Sequence, residues 1–340
     1  MFQDIELQDL LNLTSNESHT MIDLRSPKEY GEATIPGSIN IPIFSNEERA
    51  EVGTIYKQVG KEAAKTRGLE IFSAKLPSFI AEFKKIETPM TVFCWRGGMR
   101  SKAAATVLDL MGISANRLIG GIRSHRRWIV STLERQEFQP NLYVLNGYTG
   151  SGKTAILKEL AKKGYPVIDL EGMANHRGSI FGQIGLNPSN QKKFEALLVK
   201  KMLEYKNEPY VFIEGESRRI GKVCLPEFLY TKKENSMQFF IEMPMEERIK
   251  HILEDYQPWH YPERFIEAFE RIKKRIHTPA AKEIEYDLRT KNYPKAVEQL
   301  LNYYYDPKYE FASNNYKEDK KQIIQAEDIE NAVEQIKQIC

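Results

Sequence analysis

Cysteine is scarce: the 340 residues hold three, Cys94, Cys224 and Cys340, an odd number without Cys-x-x-Cys spacing. That argues against a disulfide framework or a zinc ribbon and fits a reducing compartment. His176 has no second His or Cys at ligand spacing, so no resident metal is expected. Net charge is small too. The 49 Lys and Arg against 47 Asp and Glu leave +2, so any polyanion must be met by local clusters rather than bulk charge. No apolar run approaches the roughly 20 residues of a membrane span. The first residues, Met-Phe-Gln-Asp-Ile-Glu, are acidic where a secretory leader is basic. No internal repeat or low-complexity tract is present. The expectation is a cytoplasmic protein without a membrane segment, with 41% hydrophobic residues for about two domain cores.

What is present concentrates at two loops. Residues 142–145 (Leu-Tyr-Val-Leu) form an apolar strand that runs into Gly147-Tyr148-Thr149-Gly150-Ser151-Gly152-Lys153-Thr154, the phosphate-cradling Walker A pattern. Glycines at 147, 150 and 152 let the backbone turn N–H groups inward at phosphate oxygens. The following helix, with apolar Ile156, Leu157 and Leu160 and a Gly164 stop, adds the positive end of its dipole. Lys153 supplies a point charge for the terminal phosphate and Thr154 a hydroxyl, so Mg2+ remains an option there. Phosphate binding follows from this pattern; the molecule carrying the phosphate does not.

The second loop follows another buried strand, Thr91-Val92-Phe93, and reads Cys94-Trp95-Arg96-Gly97-Gly98-Met99-Arg100-Ser101 before an Ala-rich helix ending at Gly112. A sulfur at a strand-to-helix turn meets inward N–H groups and the positive helix end. Arg96 and Arg100 add charge, and all three favour thiolate. Cys94 is therefore read as a nucleophile, and Cys224 and Cys340 as inert. Around it, residues 20–24 read as a strand. Ser26, Pro27 and Glu29 form a capped helix start, Ser45 and Glu48 a second capping box, and residues 61–86 a helix. Residues 117–119 read as a last strand and 125–135 as a last helix. Strands alternating with helices predict an α/β domain with a mostly parallel sheet over 1–138. A second α/β domain of P-loop type, with a helical C-terminal part, follows over 139–340.

In the second domain, strands at 165–170 and 210–213 end in Asp169 and Glu214. Carboxylates at strand carboxyl ends face the crevice of an α/β sheet, so both are candidates for substrate or metal contact. Arg218 and Arg219 are candidates for the anion. Glu214 stands where a Walker B strand usually ends in Asp, which weakens the case for ATP hydrolysis. Arg123, Arg126 and Arg127 beside Trp128 suit phosphate contact and base stacking in tRNA, while a solvated helix with Trp128 in the core is equally open. From about 245 onward the chain reads as helix. Residues 264–275 are amphipathic, with Phe265, Phe269 and Ile272 inward and a basic end.

Several of these segments resemble a known domain. Asp23-x-Arg25-x-Pro27-x-Glu29, residues 35–42 (Ile-Pro-Gly-Ser-Ile-Asn-Ile-Pro) and the Cys94 loop are similar to a rhodanese domain, which carries sulfur or selenium on cysteine. Arg100 lies six residues after Cys94, not the five of common sulfurtransferases. That is the phosphatase spacing, so the loop admits a phosphate-sized oxyanion such as selenophosphate, and ester hydrolysis stays open.

The whole chain resembles the tRNA 2-selenouridine synthase family. It does so through the Cys94 loop, residues 52–60 (Val-Gly-Thr-Ile-Tyr-Lys-Gln-Val-Gly), residues 169–179 and the stretch 213–221. The resemblance runs from about residue 20 to 290. It implies conversion of wobble 2-thiouridine to 2-selenouridine through an S-geranyl intermediate, with tRNA, geranyl diphosphate and selenophosphate as substrates and no tightly bound cofactor. It assigns the P-loop to the diphosphate and Cys94 to the selenium step. A small-molecule kinase fused to a sulfurtransferase, and a nucleotide-gated regulatory tRNA-binding protein, are the alternatives.

Overall fold

The computed structural model describes residues 2–16, 18–313, 316 and 318–339; Cys340 lies outside them. Two compact units divide at Arg135 and Gln136, slightly before the boundary expected at 138.

The first unit contains strands β1 (Asp4–Ile5), β2 (Thr20–Asp23), β3 (Ile39–Asn40), β4 (Met90–Phe93) and β5 (Asn116–Leu118). They form one sheet in the order β1-β5-β4-β2-β3, every pairing parallel. Its helices are α1 (Leu7–Asn16), α2 (Pro27–Glu32), α3 (Asn46–Gln58), α4 (Lys61–Phe83), α5 (Met99–Leu110) and α6 (Gly121–Glu134). Both expected capping boxes form, Ser26 with Glu29 and Ser45 with Glu48. Strand alternation sends Ile22 and Val92 into a core with Phe72, Phe83 and Leu108. Met21 and Phe93 go to a second core with Leu10 and Ile122. A parallel sheet must be covered on both faces, and these two cores cover it.

The second unit has β6 (Asn141–Gly147), β7 (Val167–Ile168), β8 (Tyr210–Glu214), the antiparallel ribbon β9 (Arg219–Ile220) and β10 (Val223–Cys224), then β11 (Met237–Glu242) and β12 (Lys321–Gln325). The main sheet runs β12-β11-β6-β8-β7, again parallel throughout. Helices α7 (Lys153–Lys162), α8 (Leu170–Ala174), α9 (Gln191–Glu204), α10 (Glu227–Glu234) and α11 (Met245–Tyr256) accompany it. Then come α12 (Pro262–Glu270), α13 (Thr278–Arg289), α14 (Tyr293–Leu300), a π-helical turn over Leu301–Tyr305, α15 (Asp306–Ser313) and α16 (Ile329–Ile339).

Phe265, Phe269 and Ile272 face inward as the pattern predicted, in a separate helical core with Ile284 and Leu288. The all-helical reading beyond 245 fails at β12. Ile324, 1% exposed, packs with Phe239 and Ile241, so tertiary burial at the sheet edge overrides the polar, helix-prone surroundings. Among the described residues no helix is long and apolar enough to cross a membrane.

Candidate active sites

The Walker loop joins β6 to α7. Gly147, Gly150 and Gly152 all have positive φ. A Cβ on Gly147 would lie 2.5 Å from the Ile241 carbonyl oxygen, and one on Gly150 2.7 Å from that of Arg248. Only glycine meets both demands. Lys153 Nζ donates to the carbonyl oxygens of Gly147 (2.9 Å) and Tyr148 (3.3 Å) and lies 5.6 Å from the Tyr309 ring centre. Ser151 is buried within the loop. Thr149, Gly150, Gly152, Lys153 and Thr154 open on a cleft of about 390 Å³ whose other wall includes Asp169, Glu171 and Glu216.

That acidic wall governs the electrostatics. Thr154 Oγ1 is 3.0 Å from Glu171 Oε2 and 2.9 Å from Glu214 Oε1, and the Glu171 N–H donates to Glu214 Oε2 at 2.8 Å. One hydroxyl hydrogen serves two carboxylates poorly, so a proton on one of these carboxyls is favoured. Its cause is burial joined to like charge. Desolvation and the nearby Glu216 carboxylate push Glu171 up to about 8, against the pull of Lys153 and Thr154. Burial and the neighbouring Glu171 also raise fully enclosed Glu214 well above the usual carboxylate range, and burial raises Glu216. Asp169 lines the same cleft while capping α8, accepting from the Gly172 N–H at 2.6 Å. Among the described residues no group of three or more His, Cys, Asp or Glu is arranged to hold a metal ion.

Helix α11, which carries no sequence motif, braces the loop. Arg248 Nε donates to the Thr149 carbonyl at 3.0 Å while its Nη atoms grip Asp306 at 2.9 and 2.6 Å. His251 Nδ1 lies 3.0 Å from the Gly150 carbonyl oxygen. Tyr256 Oη reaches Ser179 Oγ at 2.8 Å, and Arg177 stacks on its ring at 4.9 Å. Glu171, Glu216, Arg248 and His251 thus join the site without having been singled out from sequence. Only the 169–179 and 213–221 stretches hinted at the two glutamates. Arg218 and Arg219 do not line the cleft. Arg218 pairs with Glu227 at 2.6 Å, and Arg219, also exposed, donates to the Gly221 carbonyl at 3.2 Å.

In the first unit Cys94 directly follows β4, 3% exposed, with its Sγ 3.3 Å from Ser101 Oγ on α5. The loop is tied to the start of α6: Ile122 N–H donates to the Cys94 carbonyl at 2.9 Å and Arg123 N–H to that of Trp95 at 3.1 Å. A Cβ on Gly121 would sit 2.1 Å from the Cys94 carbonyl oxygen, so only glycine permits this approach. Arg100 is committed to Glu29, at 2.7 and 3.3 Å. Burial pushes the Glu29 carboxyl up, but Arg100, the Ser26 N–H and Arg49 outweigh it and hold it low. Arg96 is exposed. Cys224 is exposed on β10.

Helix α6 carries the basic cluster. Arg123 and Arg127 are exposed and Arg126 half-buried. Trp128 packs against the core around Leu10, which makes its ring a core element. His125 beneath them is pushed down to about 4, by burial first and Arg126 second. The basic end after α12 is partly spent, because Lys273 pairs with Glu270 and Glu285.

Residues 140–339 match the family model for the tRNA 2-selenouridine synthase AAA domain. The chain belongs to the tRNA 2-selenouridine synthase family. Residues 6–127 match the rhodanese-like domain. The family resemblance therefore continues past residue 290, where recognisable motifs stop. Proteins named tRNA 2-selenouridine synthase from Nitrosomonas europaea and Bdellovibrio bacteriovorus are 31% and 30% identical, each alignment covering 90% of this chain and 92% of the relative. One from Aeromonas salmonicida is 31% identical over 88% of both. As a member of the tRNA 2-selenouridine synthase family the chain is an enzyme, and its two loops lie in the two parts that the matches distinguish.

Proposed function

We propose that the protein converts wobble 2-thiouridine of tRNA to 2-selenouridine in two steps, S-geranylation by geranyl diphosphate and exchange with selenophosphate. The relatives' shared name supports the overall conversion, and site chemistry supports the division. In the first step the thiocarbonyl sulfur attacks C1 of the geranyl chain, the C1–O bond breaks, and diphosphate leaves with the electron pair. The S-alkylated base no longer carries hydrogen on N3, so that proton must go to a base.

An anion clamp and a base are both needed, and the P-loop cleft has both. Lys153 and the loop N–H groups take the developing charge. A carboxylate of the Thr154-linked set, Glu171 foremost, takes the proton once it is ionised, increasingly as pH approaches 8. The observation that carries this reading is the pair of carboxyls, Glu171 and Glu214, sharing the Thr154 hydroxyl. A magnesium ion arriving with the diphosphate would find Thr154 Oγ1 and these carboxylates as oxygen donors.

In the second step the selenium of selenophosphate adds to C2 of the base and the C2–S bond breaks. Geranylthiolate leaves, and water later removes the phosphoryl group as phosphate. Cys94 handles selenium here, and the six-residue reach to Arg100 suits the phosphoryl oxyanion.

Lys153→Ala separates the steps. It should slow geranylation about 10²–10³-fold, the usual cost of losing an anion-stabilising donor. Selenation of tRNA that already carries S-geranyl-2-thiouridine should stay near normal. Nucleoside mass spectrometry reads both products. Loss of selenation on the pre-geranylated substrate would move the P-loop to the selenium step.

A further inference from the structure

The segment between α11 and α12 has no part in the steps above. Gln257 ends α11 in the left-handed region, at φ 45°, and a 3-10 turn follows over Pro258–His260. The turn is fixed from within. The His260 N–H donates to the Gln257 carbonyl at 3.0 Å and the Tyr261 N–H to that of Pro258 at 3.1 Å. Pro258 is buried and shares a small recess with Tyr256 and Phe265, whose rings meet edge to face at 6.2 Å. What the turn offers outward is aromatic. Trp259 is 50% and Tyr261 36% exposed, and His260 between them is exposed as well. The three rings follow one another at 6.1 and 6.3 Å between centres. Single exposed rings are ordinary, but three in sequence on a fixed turn form a patch, and such patches mark binding surfaces.

Two further observations say what binds there. The turn adjoins the P-loop cleft from both sides. Tyr256, at the end of α11, lines the cleft. Tyr261 packs on Gly185, next to Leu186 of the cleft wall, so closely that a Cβ on Gly185 would lie 3.0 Å from its ring. The chain beyond the turn is cationic. Lys273 is paired there, whereas Arg264, Arg271, Lys274 and Arg275 are exposed and in no ion pair among the described residues. Glu263 and Glu267 are exposed on the same helix, so the free positive charge gathers at 271–275 and the rings stand apart from it. Rings at one place and free cations at another suit a single strand of nucleic acid, whose bases stack while its phosphates meet the charges.

We propose that the Trp259–Tyr261 turn is a stacking platform for the unpaired bases that flank the wobble nucleotide, holding that nucleotide at the mouth of the P-loop cleft. The use made of the cleft rests on the two-step reading above; the stacking does not. A base inside the anticodon stack cannot bring its sulfur to an ester gripped by the P-loop, so it must leave the stack. Its departure leaves each neighbour with a bare face, and an aromatic side chain restores the stacking that is lost. The platform therefore offsets the cost of extruding the base. It does so whatever the neighbours are, since every base has a π face.

The test uses the full-length protein and two anticodon stem-loops with 2-thiouridine at the wobble position, one of them with abasic nucleotides on either side of it. Wild type should bind the intact loop about tenfold or more tightly than the abasic one, the scale of losing stacked bases. Trp259→Ala should lose that preference, and Trp259→Phe, which keeps a ring, should retain most of it. The slope of log K against log salt should be the same in all three proteins, because no phosphate contact is removed. The platform is overturned if wild type shows no preference. It is equally overturned if Trp259→Ala, folded as judged by its melting curve, keeps the preference, weakens both RNAs alike or changes only self-association. If the platform holds but wild type forms no geranylated product from the intact loop and geranyl diphosphate, the two-step reading fails by itself.

Discussion

The Cys94 loop and the Walker loop both carry a parallel strand through glycines into a helix N-terminus, yet the side chains around them are opposite in kind. The first sits near cations, with Arg100 held by Glu29 and Arg117 donating to the Gly97 carbonyl at 2.9 Å. The second faces Asp169, Glu171 and Glu216, with Glu214 behind Thr154. The backbone device suits an anion in either case. What differs is the group available to react: a buried sulfur in one loop, and carboxyls with displaced proton affinities in the other. A strand-loop-helix motif therefore fixes where an oxyanion sits, and the wall opposite decides what is done to its carrier.

The sharpest way to break this comparison is Cys94→Ala. It should abolish selenation, including that of pre-geranylated tRNA, and leave geranylation within about twofold of wild type. Loss of both products in a variant that melts normally and binds tRNA would show that the loops do not divide the steps.

The two loops themselves were legible because both are local. Strand, glycine spacing and helix start are contiguous at 91–101 and at 141–157, and the capping boxes at Ser26 and Ser45 declare themselves within four residues. The acidic wall is different. Glu171 and Glu214 lie 43 residues apart and meet only because β7 and β8 are neighbours in the sheet. Arg248 reaches Thr149 across 99 residues, and no periodicity announces such a contact. Strand β12 escaped for the same reason, since its burial comes from β11 and not from its own pattern.

Glu171→Gln tests the acidic side and should have the next largest effect. Geranylation should fall about 10²–10⁴-fold, the usual contribution of a general base. In wild type its rate should rise with pH as Glu171 deprotonates near 8; the variant should lose that rise. Stability runs the other way. A carboxyl whose folded proton affinity exceeds its unfolded one makes the native state bind more protons between about 4.5 and 8. The free protein should thus lose stability as pH rises through that window, and Glu171→Gln should flatten the loss. Melting curves against pH read it directly. An unchanged slope would leave the displaced proton on Glu214 or Glu216.

A smaller effect is expected from the basic face of α6. With a net charge of only +2, attraction for tRNA must be local, and Arg123 and Arg127 are exposed beside Arg126. Replacing all three by Ala should lower the slope of log K against log salt by about 0.7–0.9 for each phosphate left unneutralised. Titrations across a range of KCl concentrations would show it. An identical slope would place the phosphates on another face.

The smallest effect should come from Arg218 and Arg219, and it is informative because their sequence context invites the opposite expectation. Both follow β8 closely, where an α/β sheet presents ligand-binding groups. The chain instead turns into the β9–β10 ribbon, which carries them out to solvent. Arg218 reaches Glu227, an exposed pair of the kind that contributes about 0–1 kcal/mol, and Arg219 bonds to its own turn. Glu216, from the same segment, stays at the cleft, and Glu214 stays behind Thr154. The turn into the ribbon after β8 therefore separates the acids from the arginines. Arg218→Ala and Arg219→Ala should each leave geranylation and the apparent KM for geranyl diphosphate within about twofold, a difference of about 0.4 kcal/mol. A tenfold rise in KM for either would mean that the ribbon folds over the P-loop when the diphosphate binds, giving the acidic cleft a cationic cover.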